Sequence, residues 1–279
     1  MGRSVMKVSE WLGWPMFKRL DDAQRRQLGL PKAKGPAPRR ITEAGSLEIQ
    51  AYDEVCFPGL AAEWTKWNGQ RPIVGALTME LPTDADDEIA FWIGAGTPPI
   101  FFGFGSTPVK SPADTLAMIS AACTQLGERA LVCAGWSDFS NLPHFDHVKV
   151  VSAMNYAAAF PACRAVVHHG GMGTTSAGLR AGAPTLVYWT APDQAIWGSL
   201  VKRLEVGFGR RISAANQETL VADLRRILDA KYLARAREVA SQMTKPAESV
   251  ANTADLLENF ARLRRVGGRG TAPDPRAVH

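Results

Sequence analysis

Two histidines, three glycines and two threonines fall within Val166 to Ser176, "VVHHGGMGTTS", directly after an apolar run. Glycines let a backbone approach a ligand closely, and an imidazole adds a hydrogen bond near neutral pH. If a strand ends here and a helix follows, unpaired N–H groups and the positive end of the helix dipole meet at one point. That point suits a phosphate or diphosphate, with Thr174 and Thr175 adding hydroxyls at the helix start. Neither GK[ST] nor GxGxxG occurs, so this is not a Walker loop and a dinucleotide-dependent oxidoreductase is disfavoured. The plainer alternative is a strand-to-helix turn holding two buried histidines.

Three other stretches carry chemistry of the same kind. "GFGST" (103–107) again follows an apolar run with glycines and hydroxyls, offering a second contact to the same phosphates or an ordinary turn. "WTAPDQ" (189–194) sets Asp193 beside Gln194, a carboxylate and an amide able to hold vicinal hydroxyls of a sugar, unless Asp193 only caps a helix. "GWSD" (135–138) puts Trp136 past a strand end, to stack on a base or to cap the core. "HFDH" (144–147) reads as a loop, because Pro143 adjoins it and no third metal ligand falls in register.

These residues need elements to position them. Apolar runs at 98–106, stopped by Gly105 and Ser106, and at 129–136, 147–154, 164–171 and 184–189 predict buried parallel strands. Helical spacing predicts helices at 111–127, with Ser111 as N-cap and Gly127 as stop, and at 174–182, 193–205, 217–229, 233–243 and 248–265. A short helix broken at Pro161 covers 156–163, and another follows the acidic turn at 81–88. Residues 31–45, with three prolines and two glycines, read as an extended linker or loop. The alternation predicts an α/β fold with a doubly wound parallel sheet over roughly 98–245. Ligands of such sheets bind at the carboxyl ends of the strands, where the stretches above lie.

Composition sets the outer bounds. With 279 residues, 46% hydrophobic and 21% charged, the chain can bury a sizeable core. Charged residues interrupt the N-terminal stretch, so it has no signal-peptide core, and a cytoplasmic location is expected. Cys56, Cys123, Cys133 and Cys163 are scattered, indicating neither zinc nor a disulfide framework. Residues 1–40 hold ten Lys/Arg against three Asp/Glu, together with Trp11, Trp14 and Phe17. That mix suits peripheral contact with anionic lipid or, more plainly, packing as an amphipathic segment on a neighbouring domain. No nucleic-acid motif accompanies the charge, so no nucleic-acid partner is expected.

Taken together, "GFGS", "AGW" and "FPACRAVVHHGGMGTTSAGLRAGAPTLVYWTAPDQAIWG" resemble, in this order, the nucleotide-sugar-binding half of GT-B glycosyltransferases, in the group of sterol and antibiotic glycosyltransferases. "RRITEAGSLEIQAYDEVCFPGLAAEW" and "FDHVKVV" are similar to mycobacterial enzymes that glycosylate phenolic glycolipids and p-hydroxybenzoic acid derivatives. The resemblance implies a Rossmann-like donor domain over 93–247, preceded by a remnant of an acceptor domain and linker over 1–92. A C-terminal helix over 248–265 would pack back towards the N-terminal part, with a disordered tail over 266–279. It implies that Ser106, His169, Gly171, Gly173 and Thr174 hold the donor diphosphate. Asp193 and Gln194 would hold the sugar, and Trp136, Val151 and Met154 would border the base.

The implied reaction is inverting and metal-free, with no cofactor beyond the nucleoside diphosphate sugar. It carries a hexose or deoxyhexose to a lipid or phenolic hydroxyl. Its general base, in the family, is a histidine early in the acceptor domain. Here the histidines are 144, 147, 168, 169 and 279, so residues 1–143 contain none. The expectation is therefore a donor half without its catalytic base, an N-terminally truncated transferase or a nucleotide-sugar-binding remnant.

Overall fold

A computed structural model of the chain describes residues 3–67, 69–78, 80–105, 107, 109, 111–135, 137 and 142–267. Two compact units are present, one of Met1–Gln50, Glu63–Pro72 and Asp255–His279, the other of Ala51–Ala62 and Ile73–Ala254. Helices α1 (Arg3–Gln27), α2 (Ala37–Glu43), α3 (Pro58–Trp64) and α4 (Asp86–Gly94) precede the sheet in sequence. The stretch expected to be an extended linker thus contains α2. Pro38 stands in its first turn, where a missing N–H costs nothing, and Arg39 pairs with Glu43 at 2.7 Å. In the same unit Arg71 lies 4.2 Å over the Trp67 ring and donates to the Thr42 hydroxyl at 2.9 Å.

The second unit is built on six parallel strands. They run β1 (Ile100–Gly103), α5 (Pro112–Leu126), β2 (Ala130–Cys133), β3 (Val148–Val151), α6 (Tyr156–Ala159), β4 (Ala165–His168) and α7 (Met172–Arg180). Then come β5 (Thr185–Trp189), α8 (Pro192–Arg203), β6 (Gly207–Arg211), α9 (Gln217–Ile227), α10 (Ala230–Ser241) and α11 (Pro246–Gly267), of which only the residues to Ala254 belong to this unit. The strand order is β3-β2-β1-β4-β5-β6, a Rossmann-like doubly wound sheet as the alternation of apolar runs and helices predicts. The inner strands β1, β2 and β4 are largely apolar because both faces are covered, whereas the edge strands β3 and β6 carry Lys149 and Arg210 with Arg211. Ile100, Phe102, Val132 and Val167 face α5 and α9, through Leu116, Ile119, Leu220 and Leu224. Phe101, Leu131 and Val166 face the opposite way, against Ile89 and Ile93 of α4 and against Phe160.

Helix boundaries follow local chemistry. Ser111 accepts from the Asp114 N–H and Gly127 closes α5 in the left-handed conformation, both as expected. Asp86, Asp87 and Glu88 fill the first turn of α4, where negative charge complements the dipole. Helix α7 starts at Met172, two residues before the expected 174. Gly173 sits in its first turn, whose amides make no bond within the helix, so glycine weakens the helix little there.

The strand order places a switch point between β1 and β4. The two pair directly, with Gly103 beside His168. From β1 the chain turns to α5 on one face; from β4 it turns to α7 on the other. The divergence opens a crevice at the carboxyl edge, the usual ligand position in such sheets.

Candidate functional site

At this crevice the connections nest through glycines. Gly105, with φ +55°, lies against the His169 ring, and a Cβ there would come within 2.4 Å of Cε1. A Cβ on Gly171 would come within 2.6 Å of Nε2. The imidazole is therefore held between the β1 and β4 connections with no room to turn. Gly170, with φ +92°, fits against the start of α8, where a Cβ would meet the Gln194 carbonyl at 2.9 Å. Only glycine meets both the conformation and the close approach there.

Gly171 is the N-cap of α7, and the first helical bond runs from the Thr175 N–H to its carbonyl at 2.9 Å. The amides of Met172, Gly173 and Thr174 thus have no acceptor inside the helix, and they open beside His169. Donors converge on one point at the positive end of a helix, a cradle for an anion. Thr175 does not join it: its side chain is buried and its hydroxyl donates back to the Gly171 carbonyl at 2.8 Å. Thr174 is half-buried and faces a cavity of about 580 Å³, shared with Gly173, Ala177, Tyr156, Pro161 and Leu77. The size suits a small-molecule ligand.

The two histidines differ in role. His168 is 1% exposed, and its Nδ1 accepts from the Gly170 N–H at 3.0 Å, which shapes the turn. Burial, with His169 nearby, pushes its pKa down to about 3, so it is neutral packing. His169 is 9% exposed and its Nδ1 is buried without a hydrogen-bond partner among the described residues. Burial holds its pKa below the ordinary histidine value, while the Gly103 carbonyl and the Asp193 carboxylate pull it back up.

The start of α8 supplies the other candidates. The Gln194 Oε1 accepts from the Thr190 N–H at 2.8 Å, the Thr190 hydroxyl at 2.9 Å and the Ala191 N–H at 3.2 Å. Its Nε2 donates to the Thr107 hydroxyl at 3.4 Å, joining the β5 and β1 connections. Capping thus falls to Gln194, and Asp193 stands exposed in the first turn of the helix. His169, Gly171, Gly173, Thr174, Asp193 and Gln194 therefore share the carboxyl edge of β4 and β5. Val151 and Met154 lie apart from the cavity lining, each 8% exposed in the core beside Phe101 and Phe160. Ser106 and Trp136 lie outside the described residues.

Tyr156 and Arg180 line the cavity and were not singled out in the sequence. The Tyr156 ring stacks on Phe160 at 4.7 Å. Arg180, at the far end of α7, donates to the Ala76 carbonyl at 2.8 Å, the Thr78 hydroxyl at 2.9 Å and the Ser249 hydroxyl at 3.0 Å. Among the described residues no group of three His, Cys, Asp or Glu side chains could hold a metal ion, and no helix is long and apolar enough to cross a membrane.

The fold is a Rossmann-like α/β domain that matches GT-B glycosyltransferase structures. Residues 124–257 match the erythromycin biosynthesis protein CIII-like family, C-terminal domain. The chain is 64% identical over 263 residues to an uncharacterized glycosyltransferase of Mycobacterium tuberculosis, covering 94% of this chain and 63% of that protein. A sterol 3-beta-glucosyltransferase of Arabidopsis thaliana is 29% identical over 266 residues, covering 93% and 42% respectively. The fold matches the crystal structure of the glycotransferase of kitacinnamycin with a TM-score of 0.68 at 17% identity, over 92% of this chain and 66% of that one. The chain is thus a homologue of mycobacterial glycosyltransferases and spans somewhat under two thirds of the length of such relatives.

Proposed function

We propose that the chain binds a nucleoside diphosphate sugar at the carboxyl edge of its sheet and serves sugar transfer to a lipid or phenolic hydroxyl in glycolipid synthesis. The observation that carries this reading is the fixed His169 ring beside the free amides of α7. The diphosphate occupies that cradle, with Ser106 added from the β1 connection. The nucleoside extends into the cavity beside Tyr156 and Ala177. The sugar, a hexose or a deoxyhexose such as rhamnose, lies against Asp193 and Gln194.

In the transfer, the acceptor oxygen attacks the anomeric carbon while the bond to the diphosphate breaks. His169 and the α7 amides stabilise the charge that develops on the leaving group, so the step needs no metal. The acceptor's proton passes to a general base. A lipid acceptor resides at a bilayer, and α1 exposes Met16, Phe17 and Leu20 beside Arg19 and Arg26, a surface suited to anionic lipid.

A second reading is favoured by one observation: residues 1–143 hold no histidine to act as that base. On this reading the chain binds nucleotide sugar without transferring it. Calorimetry with UDP-glucose and dTDP-glucose, paired with a transfer assay on a p-hydroxybenzoate ester, separates the two. Binding with transfer supports the enzyme, binding without transfer supports the second reading, and absence of binding overturns both.

A further inference from the structure

We propose that a nucleotide sugar enters the cradle together with one proton, taken from solvent by His169. The proposal rests on the donor-site reading above and concerns the state of the ring rather than the identity of the site.

The reasoning starts from what the ring can offer. A neutral imidazole has one N–H donor and one lone pair. The Gly103 carbonyl beside the ring is an acceptor. A diphosphate presents acceptors only. Once it sits against the α7 amides, His169 lies between two acceptors, and a neutral ring would aim a lone pair at one of them. The ring cannot escape by turning, since Gly105 and Gly171 close on it from two sides. A second N–H removes the conflict and turns a neutral contact into a charge-assisted one.

The free protein holds the ring the other way. His169 is 9% exposed, its Nδ1 has no partner among the described residues, and burial favours the neutral form. Among the described residues, the titratable group acting on it is Asp193 at the start of α8, and the neighbouring His168 on β4 is held neutral by burial. Asp193 favours a protonated ring. Diphosphate charge tips the balance. The balanced step is the transfer of one proton from water or buffer to a ring nitrogen, with no bond made or broken in the sugar. The imidazolium then stands in place before the diphosphate gains charge on release of the sugar.

The test uses UDP-glucose and dTDP-glucose, whose diphosphates carry no group titrating near neutral pH. Binding enthalpies are measured at pH 7.5 in buffers of low and high ionisation enthalpy, such as PIPES and Tris. The expected result is uptake approaching one proton per ligand, with affinity weakening towards tenfold per pH unit as pH rises. A His169→Gln variant keeps a donor and loses the titration, so its residual binding should be independent of buffer and pH. Ring nitrogen NMR of the wild-type protein reads the same event without a variant, with both His169 nitrogens protonated only in the complex. Binding with no proton uptake, or uptake that persists in His169→Gln, overturns the proposal. Absence of binding by the wild type overturns the donor-site reading itself, and this inference with it.

Discussion

Gly105 and His169 are in such close contact that a methyl group on the glycine would come within 2.4 Å of the imidazole Cε1. The β1 connection thereby fixes the orientation of a side chain delivered by β4. Gly105→Ala adds that methyl and strains a backbone at φ +55°. It is expected to destabilise the fold by about 1–3 kcal/mol and to displace the ring. Thermal unfolding checks the first effect, and a fall in nucleotide-sugar affinity of about tenfold or more checks the second.

Gln194 combines two functions that substitution can separate. Its Oε1 serves the Thr190 and Ala191 amides, while its Nε2 reaches Thr107. Gln194→Ala removes the cap from α8 and should cost about 1 kcal/mol, read from the urea midpoint. Gln194→Glu keeps an acceptor for the cap and removes the donor. It should unfold close to the wild type while binding nucleotide sugar more weakly.

Asp53 anchors the 73–80 segment from far away in sequence. It is 1% exposed and accepts from the Ala76 N–H at 3.1 Å and the Thr244 N–H at 2.6 Å. Asp53→Ala leaves both amides without that acceptor, at a cost of about 1–3 kcal/mol by the usual penalty for a stranded group. Chemical denaturation measures it. A midpoint equal to that of the wild type would remove Asp53 from the network.

His168 makes stability depend on pH. Its folded-state pKa of about 3 lies below the ordinary 6.5, through burial first and His169 second. Below pH 6.5 the unfolded chain takes up a proton that the folded chain refuses. Stability present at neutral pH is then lost progressively towards pH 3, by up to about 1.4 kcal/mol per unit for this group. His169, shifted in the same direction, adds to the loss. Urea midpoints at pH 7.5, 6.0 and 5.0 should fall in the wild type, and more shallowly in His168→Gln.

The sheet is legible in the sequence because inner parallel strands buried on both faces leave short apolar runs followed closely by glycine, as at Ile100–Gly103 and at Ala165–His168 before Gly170. The grouping of His169, Gly171, Asp193 and Gln194 is legible for a related reason: doubly wound sheets gather every strand end on one edge. Helix α2 was hidden by Pro36 and Pro38, which read as linker residues although proline suits a helix start. The withdrawal of Thr175 depends on where α7 begins, a shift of two residues that periodicity does not resolve. Asp53 with Thr244, and Arg180 with Ala76 and Ser249, are separated by 191, 104 and 69 positions, and no local pattern announces such pairs.

The central claim is that His169 and the α7 amides hold the diphosphate of a nucleotide sugar. The most direct measurement is the dissociation constant of UDP-glucose and dTDP-glucose for the wild type and for His169→Ala, with folding of both confirmed by circular dichroism. Loss of a hydrogen bond to a charged group is worth about 1.5–3 kcal/mol, so affinity for the donor that binds should fall by about one to two orders of magnitude. A His169→Ala protein that folds and binds as tightly as the wild type would contradict the account.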